Sequence, residues 1–334
     1  MEGHPPPVQM VQLLSGFQVS QALYVAAKIG VADRLTDGPV AVEQLASDLD
    51  ADPLALSRLL RTLGALGVFS EAGPGAYGLT PLGATLVSDG EGSMRDLALM
   101  WMETHYAPFA GLLETVRTGN CAATEHYGEP FFSWLADQPE QVDRFSRAMA
   151  NLTGGIKAGA IASYAFPQSG TIVDVGGADG ALLARVLESA PGATGVVFDL
   201  PHVLAEAAPT MKGFGLGDRM TSEGGDFFET VPAGDAYLLS MVLHDWNDLD
   251  ATRLLSNIRD AAAPGARVLA LELVMPPGDQ PHMSKMIDLT MLGMLNGRER
   301  TETEMRSLFE GAGLIYDGSI PTPTPISIVE ARVP

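Results

Sequence analysis

Residues 171–180 read TIVDVGGADG: an apolar run closing on Val175, then Gly176-Gly177-Ala178-Asp179-Gly180, and directly after it the helix-patterned ALLARVLES. A strand that feeds a glycine loop and then a helix brings backbone N–H groups to a helix start, where a ligand can approach closely. Downstream the same alternation continues. TGVVFDL is followed by a helical stretch at 201–208, then RMTSEG, AYLLSMVL, a helix at 249–262, RVLALELV, helices at 283–295 and 302–312, and a β-rich tail ending ISIVEARV. Continuous apolar strands alternating with helices predict an α/β fold, a parallel sheet covered on both faces.

Upstream of residue 170 the pattern is helical. Val11, Leu14, Phe17, Leu23, Ala26 and Ile29 form a mostly apolar stripe that predicts a helix over 8–35, and two shorter helices follow at 40–49 and 53–67. Two β-like runs then flank Gly73-Pro74-Gly75, a hairpin signal. Three helices and a hairpin outline a winged helix. Residues 93–163 read as helix broken near 119–131, with Val142, Phe145, Met149, Leu152, Ile156 and Ala160 along one face of 139–163. That face either packs a core or roofs a pocket. The boundaries that follow are 1–92, 93–165 and 166–334.

A chain of 334 residues with 46% apolar and 18% charged residues has material for two cored domains. Its formal charge of −21 repels nucleic acid and anionic membranes. The candidate recognition helix of the winged helix offers only Arg58 and Arg61, so a DNA-binding regulator is the weaker reading and a dimerisation module the stronger. One cysteine, Cys121, excludes an internal disulfide. No signal peptide and no membrane span is legible, so a cytoplasmic protein is expected.

The chemistry begins at the glycine loop. Asp199 ends the next strand, where an acid accepts hydrogen bonds from both ribose hydroxyls, and Gly225-Asp226-Phe227 follows the third, where an acid can bond an adenine amine beside a ring on the purine. Each feature alone is an ordinary turn glycine or surface acid; their recurrence after successive strands points to a nucleoside. The glycines do not follow G-x-G-x-x-G, and the sheet starts late, behind a helical domain. Both facts favour S-adenosylmethionine over a nicotinamide cofactor, leaving an oxidoreductase as the alternative.

VDVGGADG, VVFDLPHV, GGDFF, LLSMVLHDWND, LALELVMP and NGRERTETEMRSLFEGAGL resemble the corresponding segments of the caffeate/hydroxyindole-type O-methyltransferases of plants and bacteria, including the bacterial branch that tailors aromatic natural products. LHDWND together with GRERT is the specific part. The resemblance covers essentially the whole chain. It implies a Rossmann-like methyltransferase sheet, a mainly α winged-helix dimerisation domain before it, a homodimer, and a small aromatic acceptor. It further implies His244 as general base, Glu272 and Glu299 as its supporting acids, and Gly176, Asp199, Asp226, Phe227 and Ser240 at the cofactor. Phe145, Met149, Asp245, Met291 and Met294 fall at acceptor-binding positions.

The residues agree with that assignment. His244 follows AYLLSMVL, at the carboxyl end of a strand, where open α/β sheets bind ligands. A phenol of pKa near ~10 needs its proton removed as it attacks, and a carboxylate can orient the imidazole that removes it. Three departures stand out. Ala178 replaces a frequent loop glycine, Ser240 stands where plant enzymes often carry lysine, and Leu152 stands where they place histidine. Met283, Met286, Met291 and Met294 are either core filler or an adaptable wall for a flat ring. Trp101, His105 and Tyr106 are weaker pocket candidates, and Trp246 is expected to pack locally. No acids are spaced as a magnesium site, and no metal is expected. An N-acceptor, or a relative that binds the cofactor but hydroxylates or decarboxylates, remains the same-scaffold alternative.

Overall fold

The computed structural model describes residues 4–90, 92–204 and 207–334, and all their side chains except that of Thr153. The chain separates into two compact units, one of residues 1–111 and 126–155, the other of 112–125 and 156–334. The middle stretch at 93–165 thus divides between the two.

In the first unit the helix expected over 8–35 is two, Pro6–Leu14 and Gly16–Ile29, followed by a 3₁₀ turn at Ala32–Leu35. Gly30, at φ 75°, ends the second of them in the left-handed conformation that lacks a Cβ penalty. Helices Val42–Asp48 and Pro53–Ala65 follow, the latter started by Asp52, whose carboxylate accepts from the Ala55 N–H at 2.8 Å. Strands β1 (Val40–Ala41), β2 (Phe69–Glu71) and β3 (Ala76–Leu79) form an antiparallel sheet in the order β1-β3-β2, the wing the hairpin signal announced. Leu35, Leu45, Leu60, Leu63 and Phe69 fill its core. Helix Arg95–Met100 then widens into a π-helical turn, Trp101–His105.

The second unit holds a seven-stranded sheet made of β4 (Ser169–Val175), β5 (Gly192–Asp199), β6 (Met220–Gly224), β7 (Ala236–Ser240), β8 (Arg267–Glu272), β9 (Ile315–Pro321) and β10 (Ser327–Arg332), in the order β6-β5-β4-β7-β8-β10-β9. Strand order reverses between β4 and β7, which opens a crevice at their carboxyl ends. The expected all-parallel sheet holds for β4 to β8; β10 pairs antiparallel with both β8 and β9. The two tail strands are joined by a short loop, and a short loop can only return a strand antiparallel.

Both faces of the sheet are covered. Val173, Val175, Tyr237, Leu239, Val268 and Ala270 pack against helices Asp248–Ala261 and Glu302–Gly311 on one side. Ile172, Val197, Leu238, Leu269 and Leu271 pack against helix Ala181–Ser189 and the final turns of helix Pro139–Ala162 on the other. At about 1.5–3 kcal/mol per fully buried large aliphatic side chain, these two layers dominate the unit's stability. The helix expected at 201–208 instead runs Ala207–Gly213; residues 201–203 form a turn, and 205–206 lie outside the described residues.

Candidate active site

The glycine loop leaves β4 at the crevice. Gly176 (φ 75°) and Gly180 (φ 76°) need the left-handed conformation, and a Cβ on either would stand 2.9 Å from Val242 Cγ2 and 2.6 Å from Met220 Cε. Ala178 adopts φ 48°, so the missing glycine costs strain of about 1–2 kcal/mol. The loop in turn fixes Asp199: the Ala178 N–H donates to its Oδ2 at 3.0 Å and the Leu200 N–H to its Oδ1 at 2.7 Å. Burial still pushes the Asp199 carboxyl upward, against those two bonds. Asp226 accepts from the Phe228 N–H at 2.8 Å. The Phe227 ring meets Phe228 and Trp246 edge-on, with centroids 4.8 and 5.9 Å away, so Trp246 does pack locally.

His244 sits in the one-turn 3₁₀ helix Leu243–Asp245, just beyond β7, and is 7% exposed. Its Nδ1 lies 2.7 Å from Glu299 Oε1, and its Nε2 lies 3.4 Å from Asp245 Oδ1. The two acids expected at the imidazole are placed differently. Glu299 bonds the ring. Glu272 grips the backbone ahead of it, its Oε1 accepting from the Val242 and Leu243 N–H groups at 3.2 and 2.9 Å. One ligand atom from each of His244, Glu272 and Glu299 lies within 4.8 Å of the others. In the arrangement present, the imidazole nitrogen on that side is committed to Glu299.

The electrostatics are those of a buried acidic cluster. Burial alone would lower the His244 pKa, but the charge of Asp245, the Glu299 hydrogen bond and the charge of Glu272 outweigh it and hold the imidazole at about 10. Burial lifts Asp245 to about 6, Glu272 to about 7 and Asp174 to about 7. Among the described residues Ser240 Oγ, Asp174 Oδ2, Glu272 Oε2 and Glu299 Oε2 are buried without a hydrogen-bond partner. Four orphaned oxygens around one crevice mark a site made for a polar, cationic guest.

Three residues that the sequence left unremarked shape this turn. Arg300 is fully buried and donates to the carbonyls of Leu243 and Trp246, each at 2.7 Å, and to Asp248 Oδ1 at 3.0 Å. It ties the segment carrying Glu299 to both sides of His244. Gly297 leaves no space for a side chain, because a Cβ there would lie 1.9 Å from the His244 carbonyl oxygen. Met241, between Ser240 and His244, holds φ 57°, a strained conformation for a non-glycine residue. Only GRERT hinted at Arg300; nothing in the sequence hints at Met241.

The acceptor candidates separate. On helix Met283–Met294, Met291 and Met294 are buried whereas Met283 and Met286 are exposed, so the methionine stripe has two faces. Phe145 and Met149 belong to the first unit. Phe145 packs there beside Phe131 and Phe132, and Met149 against Leu97, Met100 and Ala148. Trp101 and Tyr106 are exposed; His105 is buried with its Nδ1 2.7 Å from Thr104 Oγ1, and burial lowers it to about 4.

Comparison with known proteins assigns this site its family. Residues 109–315 match the O-methyltransferase domain, and residues 11–89 match the O-methyltransferase dimerisation domain. The chain belongs to the O-methyltransferase family and is an S-adenosylmethionine-dependent O-methyltransferase. It is 41% identical to the phenazine O-methyltransferase of Lysobacter antibioticus over 97% of this chain and 95% of that protein. It is 35% identical to the 8-amino-8-demethylriboflavin N,N-dimethyltransferase of Streptomyces davaonensis, over 94% and 92%. Among solved structures, LaPhzM superposes with a TM-score of 0.94 at 40% identity, covering 99% of this chain and 100% of that one. CalO1, a methyltransferase in calicheamicin biosynthesis solved in its SAH-bound form, superposes at 0.86 with 31% identity and full coverage of both chains. Family membership sets aside the nicotinamide and DNA-binding readings. No helix among the described residues is long and apolar enough to cross a membrane.

Proposed function

We propose that this chain methylates a phenolic hydroxyl of a small aromatic natural product, with His244 as general base. The observation that carries this reading is the buried His244–Glu299 pair, Nδ1 to Oε1 at 2.7 Å. A base that serves an incoming hydroxyl needs its far nitrogen held in one tautomer, and a buried carboxylate does that.

The glycine cradle and the orphaned Ser240 Oγ fit S-adenosylmethionine. Asp199 would take the ribose, Asp226 and Phe227 the adenine, and Gly176 and Ser240 the remainder. An imidazole held at about 10 is protonated at neutral pH and cannot act as a base. The cofactor, when bound, supplies an activated methyl and a sulfonium charge that opposes the imidazolium. His244 Nε2 then accepts the phenol proton, Glu299 keeps the Nδ1 proton in place, and Glu272 holds the Val242–Leu243 backbone against recoil. Asp245, Met291 and Met294 are the proposed acceptor contacts in this unit.

The intact His244, Glu272 and Glu299 favour methylation over hydroxylation or decarboxylation on the same scaffold. A nitrogen acceptor is the second reading, favoured by the riboflavin-amine relative. Labelled-methyl transfer to matched phenol and aniline acceptors separates the two. His244→Ala should depress phenol methylation by about 10²–10⁴-fold, the usual worth of a positioned base, and spare the aniline. Equal phenol turnover by both proteins would overturn the general-base role.

We also propose a homodimer formed through the first unit. The helices Pro6–Leu14 and Gly16–Ile29 expose Met10, Val11, Leu13, Leu14 and Phe17, an apolar face that a second copy would cover. Sedimentation at micromolar concentration should give a dimer; a monomer alone would contradict it.

A further inference from the structure

We propose that Lys157 is the cation that receives the carboxylate of the cofactor's methionyl end, with Asp174 beside it taking the ammonium of the same amino-acid group. The inference rests on the cofactor being S-adenosylmethionine and assigns its third anchor, after ribose and adenine.

The placement follows from side-chain alternation. On β4, Val173 and Val175 face one core layer and Ile172 the other, so Asp174 points toward the layer of Ile172. On β7 the same parity sends Ser240 toward that layer, with Leu238. The final turns of helix Pro139–Ala162 cover this face, and their buried Ala160 and Ile161 belong to the same layer. Lys157 stands three and four residues before them, on the same side of the helix. Its ammonium therefore enters the layer into which Asp174 and Ser240 point, at the strand ends that flank the reversal of strand order.

Its surroundings are anionic and unpaired. The charges that act on Lys157 are those of Asp174, Glu272, Asp179 and Asp245. Burial opposes its own charge, yet its ammonium makes no hydrogen bond or ion pair within contact distance among the described residues. Asp174 is 1% exposed, and its Oδ2 has no partner. A half-buried lysine and a buried aspartate that attract without touching leave a gap of defined polarity. A phosphate would meet one cation against four carboxylates and be rejected. A zwitterion satisfies both sides: its carboxylate pairs with Lys157 and its ammonium with Asp174, at no net charge. With Asp199 holding the ribose at the end of the neighbouring β5, the amino-acid end is the part of the cofactor left to fill this place.

The test is a binding cycle read by calorimetry. Wild type and Lys157→Met are titrated with S-adenosylhomocysteine and with its decarboxylated analogue. Wild type should prefer the intact ligand by about 10–100-fold, the worth of a charged hydrogen bond. Lys157→Met should lose that preference, binding the intact ligand as weakly as wild type binds the analogue, while its affinity for the analogue changes less than about 2-fold. Lys157→Arg, which keeps the charge, should retain most of the preference. Equal weakening of both ligands by Lys157→Met would mean a packing role and overturn the assignment, as would a wild type indifferent to the carboxylate. Wild type that bound neither ligand would instead refute the cofactor itself.

Discussion

Glu299→Gln removes one charge from the buried pair while keeping shape and an acceptor oxygen. Glu299 Oε1 lies 2.7 Å from His244 Nδ1, which puts the centres of the two charges about 4 Å apart. At an effective dielectric near 20 that separation is worth about 4 kcal/mol, roughly 3 pKa units. The imidazole, now held at about 10, should fall toward 7, with Asp245 and Glu272 still acting on it. Two effects follow. The amide can rotate its NH₂ toward Nδ1, which moves the ring proton to Nε2 and blocks the base, so kcat should drop about 10²–10⁴-fold. In the surviving activity, the acid limb of kcat/KM against pH should move down by about 2–3 units, because a weaker base stays deprotonated to lower pH. The assay is labelled-methyl transfer to a phenol over about pH 5–10, with calorimetry to show that S-adenosylhomocysteine binding is preserved. A variant that keeps more than about a third of wild-type kcat, with its acid limb within about 0.5 units of wild type, would refute the pairing as the source of basicity.

Asp174→Asn should flatten the pH dependence of ligand-free stability. Asp174 is lifted from 3.8 to about 7, so its contribution is fully present below the unfolded value and is lost as pH rises through 7. Wild type should therefore be less stable at about pH 8.5 than at about pH 5.5, by about 2 kcal/mol, and calorimetry showing the same slope in the variant would contradict this. Gly297→Ala must displace the His244 backbone, since its Cβ would lie 1.9 Å from the His244 oxygen; turnover should fall at least about 100-fold, and near-normal turnover would mean the turn is not confined as described. Arg300→Met leaves the Leu243 and Trp246 carbonyls without their donor and should cost about 3–5 kcal/mol in a denaturation experiment. Asp248→Asn, which changes only the half-exposed partner of that arginine, should cost less than about 1 kcal/mol and lower kcat a few-fold.

What the sequence made legible was what repeats or punctuates. Apolar strands with glycine or acid at their ends located the crevice, because the ends of parallel strands are where this architecture carries its chemistry. HDW and GRERT located the imidazole and its carboxylate. Glu272 was found beside His244, but strand position says only that a side chain reaches the crevice, and only geometry says that its Oε1 bonds two backbone N–H groups. The single helix expected over 8–35 hid its break at Ser15, since the apolar stripe runs on in phase on both sides. The tail strands lacked a direction because alternation is the same read either way. Lys157 and Arg300 were passed over for one reason. A basic residue in a sequence looks like surface until burial shows what it faces, and the chain's acidity, read as solubility, is concentrated in part around this crevice.

The order β8-β10-β9 has a consequence for how the sheet is made. β10 is the later of the two tail strands along the chain, yet it lies inside the sheet, and among the described residues β9 pairs with β10 alone. During synthesis β9 emerges with nothing to pair with, and β8 presents an unsatisfied edge until Ser327–Arg332 has left the ribosome. The nascent domain therefore carries an open strand edge until β10 is made, and a stop shortly before Ser327 would remove one strand and orphan a second. Completion of this sheet thus waits on the strand of the domain that is made last.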